Sequence, residues 1–383
     1  MDVKPFTITV EDSVLDDLRQ RLAETRWPDE IPNTGWDYGS NLAYIKELVE
    51  YWRTDFNWRA QEAKLNEFNH FKSEVDGLDI HFIHEKGKGR NPIPLIITHG
   101  WPSCFFEMTK IIPLLTDPAS HGGDSADSFD VVAPSLPGFG FSDHAKDRGM
   151  EVHRVAGMWN KLMTQNLGYS KFAAQGGDIG SGVTACLGFS HSDSLYGIHL
   201  TSITRPTPYF GPGSRAVTEE EQALINQRDK WFDDEGGYNH IQGTKPQTLA
   251  YGLNDSPAGL ASWIVEKYRT WSDCGGDVER SYTKDELLTI VTIYWVTQTI
   301  SSSTRMYFEN QKNLWVMDKD QKVPTPAGMA MFPQEISKPP REWGERSFDV
   351  RRWTEMTQGG HFAALEEPQL LAEEIRAFFK DFR

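Results

Sequence analysis

Residues 175–181 read QGGDIGS and set an aspartate, Asp178, between Gly176 and Gly180. That is the spacing of the G-x-S-x-G nucleophile elbow, with a carboxylate where a serine is usual. Small neighbours are what such an elbow demands, because the backbone at the nucleophile is strained and passes close to other chain. A serine needs a base to become an alkoxide, and it attacks acyl carbon. A carboxylate is already ionised at neutral pH and can attack a saturated carbon in line, leaving an alkyl ester on the protein. The leaving group must then be strained or stable, an epoxide oxygen or a halide. Water activated by a histidine would finally cleave the ester at the carboxylate's own carbonyl carbon. An ester hydrolase would more naturally keep serine at this position.

Such a scheme needs a base, an acid to orient it and donors for the developing charge. His361, in TQGGHFAALEEP, follows the last expected strand and precedes the final helix, in the chain order nucleophile, acid, histidine. The orienting acid belongs on the loop after the penultimate strand. Glu335 in MAMFPQEI fits, with Asp318, Asp320 and Asp349 as alternatives. The oxyanion donors are expected to be main-chain N–H groups: that of Ile179, after the nucleophile, and that of Trp101 in THGWPS. His81 and His84, in IHFIHE, match no zinc spacing and read as structural strand residues.

These residues need a scaffold, and the chain supplies its outline. EDSVLDDLRQRLAETRWP and NLAYIKELVEYWRTDF carry apolar residues at helical spacing, so the first eighty or so residues read as helical. PLIITHG and SFDVVAPSLPGFGFSD are then short buried strands that empty into loops, and KFAAQGGDIGSGVTACLGF runs strand, tight turn, helix. Buried strands alternating with helices indicate an α/β fold, a parallel sheet covered on both faces. From about Arg205 the alternation gives way to helical patterns, an insertion that ends before the strands of TPAGMAMFP and RSFDVRRW and a closing amphipathic helix. The expected division is residues 1–85, 86–204, 205–311 and 312–383.

Composition excludes several functions. Acidic residues outnumber basic ones by 55 to 39, a net charge of −16, which repels nucleic acid and anionic lipid. Three widely spaced cysteines, Cys104, Cys186 and Cys274, suit reduced thiols and a cytoplasmic setting rather than a disulfide framework or zinc site. The opening residues show no basic stretch followed by an apolar core, and no run approaches the roughly 20 apolar residues that span a bilayer. The glycines of PSLPGFGFS lack a phosphate-loop lysine, which argues against nucleotide binding. Phe139, Phe141, Trp231, Phe232 and Trp263 suit either a greasy pocket or the core.

Together these segments resemble the microsomal-type epoxide hydrolases, including the juvenile-hormone epoxide hydrolases and soluble bacterial relatives. The likeness covers nearly the whole chain, through FTITVEDSVLDDLRQRL, GLDIHFIHEK, HGWPS, PSLPGFGFS, GGDIGS, GGYNHIQGTKPQTLAYGLNDSPAGLASWIVEK, SSSTRMYFEN, FPQE and GGHFAALEEP in that order. The resemblance implies an α/β-hydrolase fold with a mostly parallel central sheet, a helical cap insertion and an N-terminal helical meander. It also implies conversion of an epoxide to a vicinal diol without metal or organic cofactor. Asp178 matches the nucleophile, His361 the base and Glu335 its acid; Tyr238 and Tyr307 match the two cap tyrosines that hydrogen-bond the epoxide oxygen. A phenol can donate to a forming alkoxide without itself being ionised at neutral pH. The peptide before the proline of HGWP is expected to be cis. The implied partners are a hydrophobic or aryl epoxide and water, with no nucleic acid and no membrane, and a homo-oligomer is left open. Ile179 departs from the tryptophan that the family and the haloalkane dehalogenases commonly carry. It has no side-chain donor for a halide, which weakens the alternative of a dehalogenase using the same aspartate. The remaining alternative is a non-catalytic binding homologue.

Overall fold

Apolar runs too short for helices become buried strands, because only a sheet covered on both faces hides every side chain of such a run. The computed structural model describes residues 2–203, 214–315, 317–318 and 321–383. Its strands are β1 (Val3–Phe6), β2 (His70–Val75), β3 (Leu78–Glu85), β4 (Ile93–Thr98), β5 (Phe129–Pro134), β6 (Phe172–Gly176), β7 (Leu195–Leu200), β8 (Val323–Met331) and β9 (Phe348–Glu355). They form a nine-stranded sheet in the order β1-β2-β3-β5-β4-β6-β7-β8-β9. From β5 through β9 every neighbour is parallel, whereas β1, β2, β3 and β5 pair antiparallel. Every residue of β5 and β6 is buried.

The helices before the inserted segment are α1 (Asp12–Ala23), α2 (Leu42–Thr54), α3 (Trp58–Leu65), α4 (Ile111–Thr116), α5 (Val152–Lys161) and α6 (Asp178–Ser190). Between β7 and β8 lie α7 (Glu219–Glu235), α8 (Gly237–Thr244), α9 (Pro246–Leu253), α10 (Pro257–Trp271), α11 (Lys284–Thr297) and α12 (Ile300–Lys312). The chain closes with α13 (Arg341–Ser347), α14 (Ala363–Glu366) and α15 (Pro368–Phe379). Consecutive residues of β7 show that both faces of the sheet are covered. A methyl group added to Gly197 would meet the Phe378 ring of α15 at 3.2 Å, whereas one on Gly188 of α6 would meet the next strand residue, Ile198, at 3.0 Å. Local signals start the helices. Thr218 with Glu221, and Thr283 with Glu286, form capping boxes at α7 and α11, and Asn41 and Ser256 cap α2 and α10.

The reading of the first eighty residues as helical needs correction. α1, α2 and α3 are there, but β1 and β2 share the segment. β1 has four residues, one of them Pro5, and lies at the sheet edge, where a strand tolerates a proline that cannot donate. The expected boundary at 204/205 and Asp320 lie outside the described residues. His81 sits within β3, its ring joined to His70 at 2.9 Å and to the Ser135 hydroxyl at 2.9 Å, and His84 meets the Tyr169 hydroxyl at 3.0 Å. Among the described residues no helix is long and apolar enough to cross a membrane.

Candidate active site

β6 ends at Gly176 and α6 begins at Asp178, so the aspartate stands on the turn between them. Asp178 has φ +50°, the left-handed region that a side chain with a Cβ rarely adopts. Packing enforces it. A Cβ on Gly176 would lie 2.2 Å from the Gly180 carbonyl oxygen, and one on Gly180 would lie 2.0 Å from that of Thr98. The elbow and the end of β4 therefore touch backbone to backbone, which explains the glycines around the acid. Ser202 accepts the Asp178 N–H at 3.0 Å, and Ser181 donates to the Asp178 carbonyl at 2.7 Å.

That contact also brings the loop after β4 onto the carboxylate. The Trp101 N–H donates to Asp178 Oδ1 at 2.8 Å, and the Ile179 N–H bonds to the same carboxyl group. Gly100 lets the loop come so near, since a Cβ there would sit 2.2 Å from Oδ1. The Trp101–Pro102 peptide is cis. The two expected oxyanion donors thus converge on one oxygen-bearing group.

On the other side, His361 Nε2 lies 3.6 Å from Asp178 Oδ2, and its Nδ1 lies 2.7 Å from Glu335 Oε1. Both His361 and Glu335 are buried, at 6% and 5% exposure, so the pair is sheltered from solvent screening. The rivals of Glu335 lie elsewhere: Asp349 pairs with Arg351 on β9, and the Asp318 N–H bonds to Gln321. A parallel bridge between Gln334 and Gly360 holds the acid and base loops side by side.

The charges are arranged consistently. Burial pushes the Asp178 carboxyl up, but the His361 imidazole and the N–H groups of Trp101 and Ile179 outweigh it and hold the carboxyl below the usual aspartate value. Burial pushes His361 down, and the Glu335 and Asp178 carboxylates reverse this and hold it well above an ordinary histidine.

The inserted helices place two phenols over this group. Tyr238, on α8, stacks on the Trp101 ring with centroids 5.6 Å apart, and Tyr307, on α12, meets the same ring edge-on at 5.8 Å. The two tyrosines are 6.0 Å apart, ring to ring. Burial, and then the Asp178 charge, raise both phenols above their ordinary value, so they stand as proton-bearing donors.

Of the aromatics that suited pocket or core, Phe139 packs against His99 and Tyr294, and Phe141 against Phe6, His81 and Phe105. Trp231 and Phe232 pack on each other along α7, with Phe232 exposed, and Trp263 donates to Gln242. Sequence reasoning missed Trp271, whose ring meets His361 at 5.2 Å and Tyr238 at 5.0 Å. It also missed Glu107 and Glu366, two acids near His361 that burial pushes up to about 7. No spacing could have found Trp271, because its partners lie on other segments of the chain.

Residues 3–108 match the family described as "Epoxide hydrolase N terminus", and residues 93–242 match "alpha/beta hydrolase fold". The chain is 40% identical over 401 residues to epoxide hydrolase 1 of Sus scrofa, covering 98% of this chain and 88% of that protein. It is 36% identical to juvenile hormone epoxide hydrolase 2 of Ctenocephalides felis, covering 99% and 86%. The solved structure of juvenile hormone epoxide hydrolase from the silkworm Bombyx mori superimposes with a TM-score of 0.88 at 28% identity, covering 100% of this chain and 95% of that one.

Proposed function

The chain belongs to the epoxide hydrolase family and hydrolyses epoxides, and we propose that it does so through a covalent ester on Asp178. The observation that carries this reading is the division of labour between two oxygens. Oδ1 accepts from the Trp101 N–H at 2.8 Å, while Oδ2 faces His361 Nε2 at 3.6 Å.

In the first step Oδ2 attacks a ring carbon, and the carbon–oxygen bond of the strained ring breaks. The electron pair goes to the ring oxygen, which takes a proton from Tyr238 or Tyr307. Oδ1 becomes the ester carbonyl oxygen, already seated on the Trp101 N–H, with the Ile179 N–H bonded to the same carboxyl group. Esterification removes the Asp178 charge, one of the two that hold His361 protonated. The imidazolium therefore gives up its Nε2 proton, which restores the tyrosinate left by the first step to the phenol, and stands as a neutral base. Nε2 then takes a proton from water, and hydroxide adds to the Asp178 carbonyl carbon. The tetrahedral oxyanion stays on the two N–H groups and collapses, expelling the diol oxygen, which takes the proton from His361; the Asp178 carboxylic acid then returns its proton to Nε2, restoring the carboxylate and the imidazolium. Glu335 keeps Nδ1 protonated and supports the imidazolium.

The substrate we propose is a hydrophobic or aryl epoxide, in keeping with Trp101, Tyr238, Trp271 and Tyr307, whose rings pack about the nucleophile. Residues 205–311 would then act as the cap that carries both phenols, with residues 1–85 as a meander outside the 86–204 and 312–383 core. The odd, sparse cysteine count supports a cytoplasmic location.

Asp178→Ala should abolish turnover, and His361→Gln should gain the mass of one epoxide in intact-protein mass spectrometry. In a single turnover in oxygen-18 water the wild-type protein should take the label into Asp178 while the first diol stays unlabelled. A labelled first diol, or no mass gain in the His361 variant, would refute the mechanism.

A further inference from the structure

His361 lies on the loop of residues 359–362, and the core alone does not hold that loop. Its backbone is bound to the end of α10, in the inserted helices. The His361 N–H donates to the Trp271 carbonyl at 3.0 Å. The Gly359 N–H donates to Asp273 Oδ2 at 3.0 Å. Glu366 completes the bracket: Oε1 accepts the Phe362 N–H at 2.9 Å, and Oε2 accepts the Asp273 N–H at 2.8 Å. The approach is so close that a Cβ on Gly360 would lie 2.7 Å from the Trp271 carbonyl oxygen and 2.9 Å from the Asp273 nitrogen. Rings press on the same loop. Tyr268 of α10 stacks on Phe362 at 4.0 Å, and Trp271 packs edge-on against His361.

We propose that Asp273 and Glu366 are positioning residues for the hydrolysis half of the reaction, a strap by which the cap holds the base His361 at the ester. The inference rests on the assignment of His361 as that base. The bonds of both side chains run to backbone N–H groups, those of Gly359, Phe362 and Asp273, rather than to Asp178, Tyr238 or Tyr307. The strap therefore serves the second step and not the first.

The kinetic signature separates this role from a merely structural one. In a two-step ester mechanism kcat/KM reports formation of the ester, whereas slow hydrolysis lowers kcat and KM together. Asp273→Ala removes one exposed carboxylate and leaves the core intact, and Glu366→Ala removes both acceptors at Glu366. Displacing a catalytic group by a fraction of an ångström to an ångström can cost up to about a hundredfold, so each variant should lose roughly tenfold or more in kcat, with KM falling in parallel. kcat/KM should stay within about twofold, and the ester should accumulate in mass spectra of the working enzyme. Asp273→Asn, which keeps an acceptor for Gly359, should restore most of the loss.

A proportional fall in kcat/KM in Asp273→Ala, or no change in kcat in either variant, would overturn the proposal. His361→Gln, run alongside, keeps the two readings apart. If it traps ester while the strap variants turn over normally, only the strap fails; if it traps none, the ester mechanism itself fails.

Discussion

An aspartate can attack only while ionised, and a phenol can donate only while protonated; the groups around Asp178 hold both states at once. The carboxyl is held below its usual value by the imidazole and two N–H groups, and the phenols of Tyr238 and Tyr307 are raised by burial and by that same carboxylate charge. The sign of the second effect sets the alkaline limit of the reaction. A raised phenol keeps its proton to higher pH, so ester formation should lose activity only above the ordinary tyrosine value of about 10. A kcat/KM profile that falls with a midpoint at or below that value would show that the phenols are not the donors. At the same scale, Glu335 was one of four acids compatible with the sequence. Burial and a 2.7 Å contact with His361 distinguish it, and neither is visible in the local residues.

The elbow works as an element because strand, turn and helix are packed at backbone contact, and glycine substitutions can measure that contact. Gly180→Ala drives a methyl group to 2.0 Å from the Thr98 carbonyl oxygen, so β4 or α6 must move. The expected loss is about 2–3 kcal/mol of stability, with activity falling as the Trp101 N–H shifts away from Oδ1. Gly157 of α5 is the control: its nearest neighbour would be the His191 ring at 4.0 Å. Gly157→Ala should stabilise by about 0.5–1 kcal/mol, since helical alanine loses less backbone entropy than glycine. Urea midpoints of the two variants should move in opposite directions, and a neutral Gly180→Ala would contradict the packing argument. The strands were legible as short apolar runs and the helices as 3.6-residue patterns. β1 and β2 were not, because four residues with a proline carry no periodic signal and HFKSEV is mostly polar.

Across the whole molecule the N-terminal helices brace the inserted ones. Asp285 at the start of α11 accepts from the Tyr51 hydroxyl at 2.9 Å and from Gln61 at 3.2 Å. Arg21 bonds to Asp255 at 2.7 Å, Lys284 pairs with Glu47 at 2.8 Å, and Ser40 donates to the Ser262 carbonyl at 2.8 Å. These braces fall on α11, on α10 and on the turn that leads into α10. Asp285→Ala leaves two donors unpaired and should cost about 1–2 kcal/mol. Amide exchange in α11 should quicken in that variant, as followed by mass spectrometry. Unchanged exchange there would mean that the brace does not hold the insertion.

The sequence by itself determined what is local. Glycines at 176 and 180 follow from how near two backbones must pass, the alternation of apolar runs sets strand against helix, and the family resemblance supplies the candidate residues. Only the tertiary structure decided which oxygen of Asp178 faces His361, which acid meets that histidine, and that Asp273 and Glu366 bind its loop to α10. Those relations join residues as far apart as Asp178 and His361, 183 positions in the chain, and a side chain carries no mark of a partner that only folding brings near.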